Sequence, residues 1–130
     1  MGKRIDRFED LIAWQKARLL RQRIGRVTRD GAFRPDPGLA DQMRRSARSV
    51  MANIAEGFDK HSRPEFHRFL TMSKGSCAEL RSDLYAALDD GFITQSTFDQ
   101  IYAMCDEQAR IVAGLQSAMR RTRATANPST

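Results

Sequence analysis

The sequence predicts an all-α protein, an antiparallel up-down-up-down four-helix bundle. Three observations lead there. Apolar residues recur at helical spacing through four long segments, no stretch alternates polar and apolar as a half-buried strand would, and turn or capping residues separate the segments. A chain of 130 residues is one domain, able to bury roughly two thirds of its unfolded surface without disulfides or a structural metal. The expected bundle covers residues 1–122, with helices at about 7–29, 37–58, 63–90 and 95–121, followed by a disordered tail at 123–130.

In the first segment Ala13, Ala17, Leu20, Ile24 and Val27 share one face. It ends near Arg29, where Gly31, Pro35 and Pro37 mark a loop. Asp36 before Pro37 supplies an N-cap and a proline at the first helical position, which opens the second helix. Leu39, Met43, Ala47, Val50, Ile54 and Phe58 form its apolar face, and Gly57 is suited to the left-handed geometry of a helix C-terminus. Ser62 and Glu65, in "SRPE", have capping-box spacing and start the third helix. Its stripe is Phe66, Phe69, Leu70, Ser73, Cys77, Leu80, Leu84 and Leu88, and Gly91 ends it. The small residues of "SKGSCA" (73–78) should let a neighbouring backbone come close, at a cost of about 1 kcal/mol for Gly75. Thr94 or Ser96 caps the fourth helix, whose seam is Phe98, Ile101, Cys105, Val112, Leu115 and Met119. From Thr122 onward, "TRATANPST" has little to bury.

The first helix carries more large residues than one core stripe uses. At 100° per residue, Leu11, Trp14, Arg18 and Arg21 fall roughly 120° from the core stripe. Phe8, Ile12 and Leu19 fall about as far to the other side. A helix at the edge of a lone bundle needs one broad apolar side. Phe8, Leu11, Ile12, Trp14 and Leu19 are therefore expected to meet further copies of the chain. The alternative is a rolled helix, with Trp14 covering the bundle edge.

A polar stripe borders the apolar face of the second helix: Gln42, Ser46, Ser49, Asn53 and Glu56. Polar groups so close to a core persist only when hydrogen-bonded, since each orphan costs about 1–3 kcal/mol. Ser73, Ser76 and Glu79 on the third helix, or a second subunit, are the expected partners. The stripe then sets register between helices. A catalytic Glu56–Glu79 pair is disfavoured, because the chain has no nucleophile motif, no Gly-rich phosphate loop and no E-x-x-H pair. His61 and His67 are six apart, so a helix would point them to nearly opposite sides; no metal or other cofactor is expected. Cys77 and Cys105 lie on apolar stripes, outside any C-x-x-C pattern, and read as core thiols in a reducing cytoplasm. No apolar run is long enough to span a bilayer, and the N-terminus lacks a signal-peptide core.

The net charge is +6, from 22 Lys and Arg against 16 Asp and Glu. The surplus sits at the front: residues 1–30 carry nine cations against Asp6, Glu9, Asp10 and Asp30. Only Lys3, Lys16, Lys60 and Lys74 are lysines, and the arginine that dominates suits phosphate oxygens and base edges. Arg-favouring codon usage over an ordinary solvated surface gives the same composition, and both readings stand at this level.

"DQMRRSARSVMANIAEG" (41–57), with "FEDLIAWQKA" (8–17), "EFHRFL" (65–70) and "GSCAEL" (75–80), resembles the four-helix-bundle family of bacterial 23S ribosomal RNA intervening-sequence proteins. The resemblance covers roughly residues 8 to 120. That family is similar in fold to the accessory variability protein of diversity-generating retroelements, a basic pentameric barrel that binds nucleic acid and a reverse transcriptase. The resemblance thus implies a homo-oligomer, a pentamer, whose arginines face nucleic acid, RNA in particular.

The expected function is non-enzymatic nucleic-acid binding by a basic oligomer. Its candidate contacts are Arg18 and Arg21 on the first helix, Arg44, Arg45 and Arg48 on the second, and Lys60 and Arg63 at the following loop. A ring multiplies a modest charge per chain into a strong field for polyanions. The rival reading is an interaction scaffold that docks a partner enzyme, such as a reverse transcriptase, through its apolar rim.

Overall fold

The computed structural model describes residues 4–126 of the chain, and side chains as far as Arg121. Four helices make up the fold: α1 (Ile12–Thr28), α2 (Pro37–Phe58), α3 (Arg63–Asp89) and α4 (Gln95–Ala126). Short 3-10 turns at Phe8–Asp10 and Gly31–Phe33 precede α1 and α2, and no strand occurs among the described residues. Among the described residues no helix is long and apolar enough to cross a membrane. The backbones of α1 and α3 each approach those of α2 and α4.

The expected caps close three of the four helices. The Asp36 carboxylate accepts from Leu39 N at 3.0 Å, Ser62 Oγ from Glu65 N at 3.3 Å and Thr94 Oγ1 from Thr97 N at 3.1 Å. Each satisfies a backbone donor that an α-helix leaves open in its first turn. The capping box at Ser62 is only half made, because the Glu65 carboxylate turns to Arg68 at 3.1 and 3.2 Å.

The first helix starts later than its hydrophobic spacing implies. Leu11 is extended (ψ 127°) and separates the 3-10 turn from α1. The Gln15 side-chain amide donates to Glu9 O at 2.9 Å and holds the turn against the helix. Phe8 is thereby folded back onto Trp14, edge to face, with ring centroids 5.2 Å apart. At the other end of the chain, α4 continues to Ala126, past the expected end at 121. No glycine or proline interrupts the sequence between Gly114 and Pro128, so nothing local stops it earlier. The rest of the expected tail, 127–130, lies outside the described residues.

The core is two apolar clusters stacked along the helices. One gathers Leu20 and Ile24 of α1, Ala40 and Met43 of α2, Leu84 and Ala87 of α3, and Phe98 and Ile101 of α4. The other gathers Ala13 and Ala17, Val50 and Ile54, Leu70 and Cys77, and Val112. Gln108 of α4 is fully buried and donates to Ala13 O of α1 at 2.9 Å, tying the register of these two helices. Cys77 and Cys105 are buried and free, as the stripes predict.

Two glycine expectations are corrected. Gly57 stays helical, and the left-handed residue at this turn is His61 (φ 53°). Gly57 is buried where α2 meets α3, and a Cβ there would lie 2.6 Å from Phe69 Cβ. Its role is close approach between helices. Gly75, expected to serve that role, has nothing within 4 Å of where its Cβ would be. At Gly91, expected to end the third helix, the chain leaves α3 through a left-handed residue (φ 78°).

Candidate nucleic-acid interface

The α1–α2 seam is set by a hydrogen bond from Arg44 Nη1 to Thr28 Oγ1 at 3.1 Å. Arg21 lies two turns before Thr28 on the same line of α1, and Arg48 one turn after Arg44 on α2. Arg18, Arg21, Arg45 and Arg48 are all exposed. Arg18 rests over the Trp14 ring at 5.9 Å, and Arg45 donates to Gln42 Oε1 at 3.2 Å, but none of these four forms an ion pair among the described residues. Arg44 differs, being paired with Asp41 on its own helix.

Where α1 gives way to α2, a hollow of about 270 Å³ is walled in part by Arg29, Arg34 and Arg44, with Asp30 as the acid on its lining. Sequence reasoning passed over Arg29 and Arg34 because no helical period points to loop residues. Their placement in "RDGAFRP", where loop residues bend back on a helix start, was the available signal.

The second basic group surrounds the α2–α3 turn. Lys60 and Arg63 are exposed there, as expected, and Lys60 Nζ lies 5.7 Å from the Phe69 ring. Arg63 Nη1 donates to Met119 O at 3.2 Å, reaching from the start of α3 to late α4. That contact brings Arg120 into the group, its Nη1 3.0 Å from His67 Nε2. Arg63, Pro64, His67, Met119 and Arg120 line a hollow of about 380 Å³. A second hollow of about 250 Å³ shares Arg63 and is lined by Ile5, Phe58, His61, Ser62 and Phe66. Arg68 is nearby but neutralised. Its hydrogen bonds to Glu65 hold that carboxyl below the ordinary carboxylate range. Arg120 and His67 were missed as site residues because only the packing of α4 on α3 brings them together.

Part of the polar stripe on α2 meets α3, and part bonds within its own helix. Ser76 Oγ donates to Ser49 Oγ at 2.7 Å, Gln42 Nε2 to Glu79 Oε2 at 3.4 Å, and Asn53 Nδ2 to Ser49 O and Oγ at 2.8 and 3.0 Å. Ser46 is buried, with Gln42 Nε2 3.5 Å from its hydroxyl. Ser73 instead donates to the Val50 carbonyl at 2.8 Å. Glu56 is exposed. Two bonds, Ser76 to Ser49 and Gln42 to Glu79, link the stripe to α3.

The residues expected at an interface between copies divide into two sets. Leu11 is buried, and Phe8 and Trp14 are half-buried against the cluster around Val50 and Ile54. They serve their own chain, because the extended Leu11 lets Phe8 and Trp14 close over the bundle edge. Ile12 and Leu19 remain out, 59 % and 50 % exposed. Among the described residues no group of three or more His, Cys, Asp or Glu is placed to hold a metal.

A family model of 23S rRNA-intervening sequence proteins matches residues 9–114. The fold is similar to the crystal structure of a protein with unknown function from the S23 ribosomal protein family of Bacteroides thetaiotaomicron, with a TM-score of 0.73 and 19% identity. That similarity covers 81% of this chain and 98% of the other. No curated protein matches the sequence.

Proposed function

We propose, on the premise that this chain belongs to the family of 23S rRNA-intervening sequence proteins, that it is a non-enzymatic oligomer that binds RNA through exposed arginines. One observation carries the reading: among the described residues, Arg18, Arg21, Arg45 and Arg48 stand in solvent along α1 and α2 without a paired acid. Exposed guanidinium groups without an acid partner suit phosphate oxygens. The contacts are to backbone and shape, since the seam offers no row of aromatic side chains for reading bases.

An up-down-up-down course of the helices fits the core, where late α1, early α2, late α3 and early α4 share one cluster. On this reading copies of the chain, five in a ring, meet through Ile12 and Leu19 and add their positive fields. The protein acts in the cytoplasm.

The experiment is a titration of labelled RNA at several salt concentrations. Affinity should fall steeply with salt, and Arg21→Gln or Arg48→Gln should each lower the slope of log K against log salt by about 1. An affinity that is flat with salt overturns the reading. The exposed Ile12 and Leu19 also favour a second reading, a scaffold docking a partner enzyme such as a reverse transcriptase. A partner retained after nuclease treatment would support the scaffold.

A further inference from the structure

Arg63 forms a ridge between two hollows. On one side lie Pro64 and Met119, with Arg120 and His67 at the edge; on the other lie Phe58, Phe66 and His61. The ridge is held in place by the hydrogen bond from Arg63 Nη1 to Met119 O at 3.2 Å, and Arg63 forms no ion pair among the described residues. The second hollow is aromatic. Phe58 and Phe66 meet edge to face at 5.8 Å, and the His61 ring lies 6.5 Å from Phe58. His61 reaches that position through a left-handed backbone (φ 53°), a conformation rarely adopted by residues with a side chain.

A cation between two hollows, one aromatic and one apolar with a basic edge, matches the repeat of a single strand: base, phosphodiester, base. We infer that the α2–α3 turn holds two consecutive unpaired nucleotides, their shared phosphodiester on Arg63 and one base in each hollow. The base beside Phe58, Phe66 and His61 stacks on aromatic faces, and the other rests on Pro64 and Met119 with its own phosphate toward Arg120. A base inside a duplex is stacked on both faces and cannot enter either hollow. The site therefore selects single strands, by stacking and charge rather than by sequence. The inference rests on the reading that this chain binds nucleic acid, and adds that it prefers unpaired segments.

The test is fluorescence anisotropy with three labelled probes: a 12-nucleotide unstructured RNA, the same RNA in a duplex, and single-stranded DNA of the same sequence. The variants are His61→Gly, which suits the left-handed turn while removing the ring, and Arg120→Gln at an exposed position. Circular dichroism melts confirm that each is folded. Each variant should weaken single-strand binding about fivefold or more, the loss of roughly one stacking or charge contact, and leave duplex binding within about twofold. The same loss with DNA supports the site equally, since phosphodiester and base are common to both strands. Arg48→Gln, on the α2 seam, should instead weaken all probes together. Equal losses for single strand and duplex, or no loss, overturn the inference while leaving the broader function intact. Failure of the unaltered protein to bind any probe overturns both.

Discussion

A Cβ added at Gly57 would sit 2.6 Å from the Cβ of Phe69 and 3.1 Å from Phe66 Cδ1, inside the distance at which packed carbons repel. Both neighbours belong to α3, so relief requires the two helices to move apart. Gly57→Ala should destabilise the fold by about 1–3 kcal/mol, the usual range for overpacking, and lower Tm by several degrees in a thermal melt. The two thiols make a second residue-scale case. Burial pushes Cys77 up to about 11 and Cys105 up to about 12. Nearby Arg81 lowers both, by less than burial raises them. An unfolded thiol ionises near pH 8.5, so above that pH the unfolded chain has fewer bound protons than the folded one. Stability should then fall as pH rises from about 8.5 toward 11. Denaturant midpoints across that range would check this, and Cys105→Ala should flatten the slope. At pH 8 both thiols should resist alkylation until the chain is unfolded.

At the scale of single elements, caps decide where helices begin. Ser62→Ala removes the acceptor for Glu65 N and should cost about 1 kcal/mol, read as a drop in the urea midpoint. Ends of this kind were legible because Asp36, Ser62 and Thr94 act on donors three residues away. The start of α1 was not. Its hydrophobic spacing runs back through Phe8, and only the extended backbone at Leu11 and the Gln15 contact to Glu9 O reveal the break. Gly57 was misjudged for a related reason. A glycine near a helix end suits either a left-handed exit or a close neighbour, and its identity cannot tell which neighbour arrives. The polar stripe was legible in part: Ser49 and Gln42 meet Ser76 and Glu79 of α3, whereas Asn53 bonds within α2 and Glu56 is exposed.

For the molecule as a whole, the question is what the outer face of α1 meets. Ile12 and Leu19 are the part of that face not claimed by its own core. Leu19→Glu should shift the protein to a smaller species in light scattering behind size-exclusion chromatography, with its melting curve little changed. A protein already monomeric at micromolar concentration would remove the assembly reading. The candidate site was only partly readable. Exposed arginines on α1 and α2 follow from spacing, whereas Arg120 meets His67, one turn after Arg63 on α3, only once α4 has packed on α3.

The tight seating of α2 on α3 also bears on the order of events as the chain collapses. Gly57 and Phe69 are close in sequence, joined by a short turn, so closing that loop loses little chain entropy. The two helices are thus suited to dock early and serve as the template on which α1 and α4 settle. A bulkier residue at Gly57 should then act chiefly on the refolding limb of a stopped-flow chevron and leave the unfolding limb nearly unmoved.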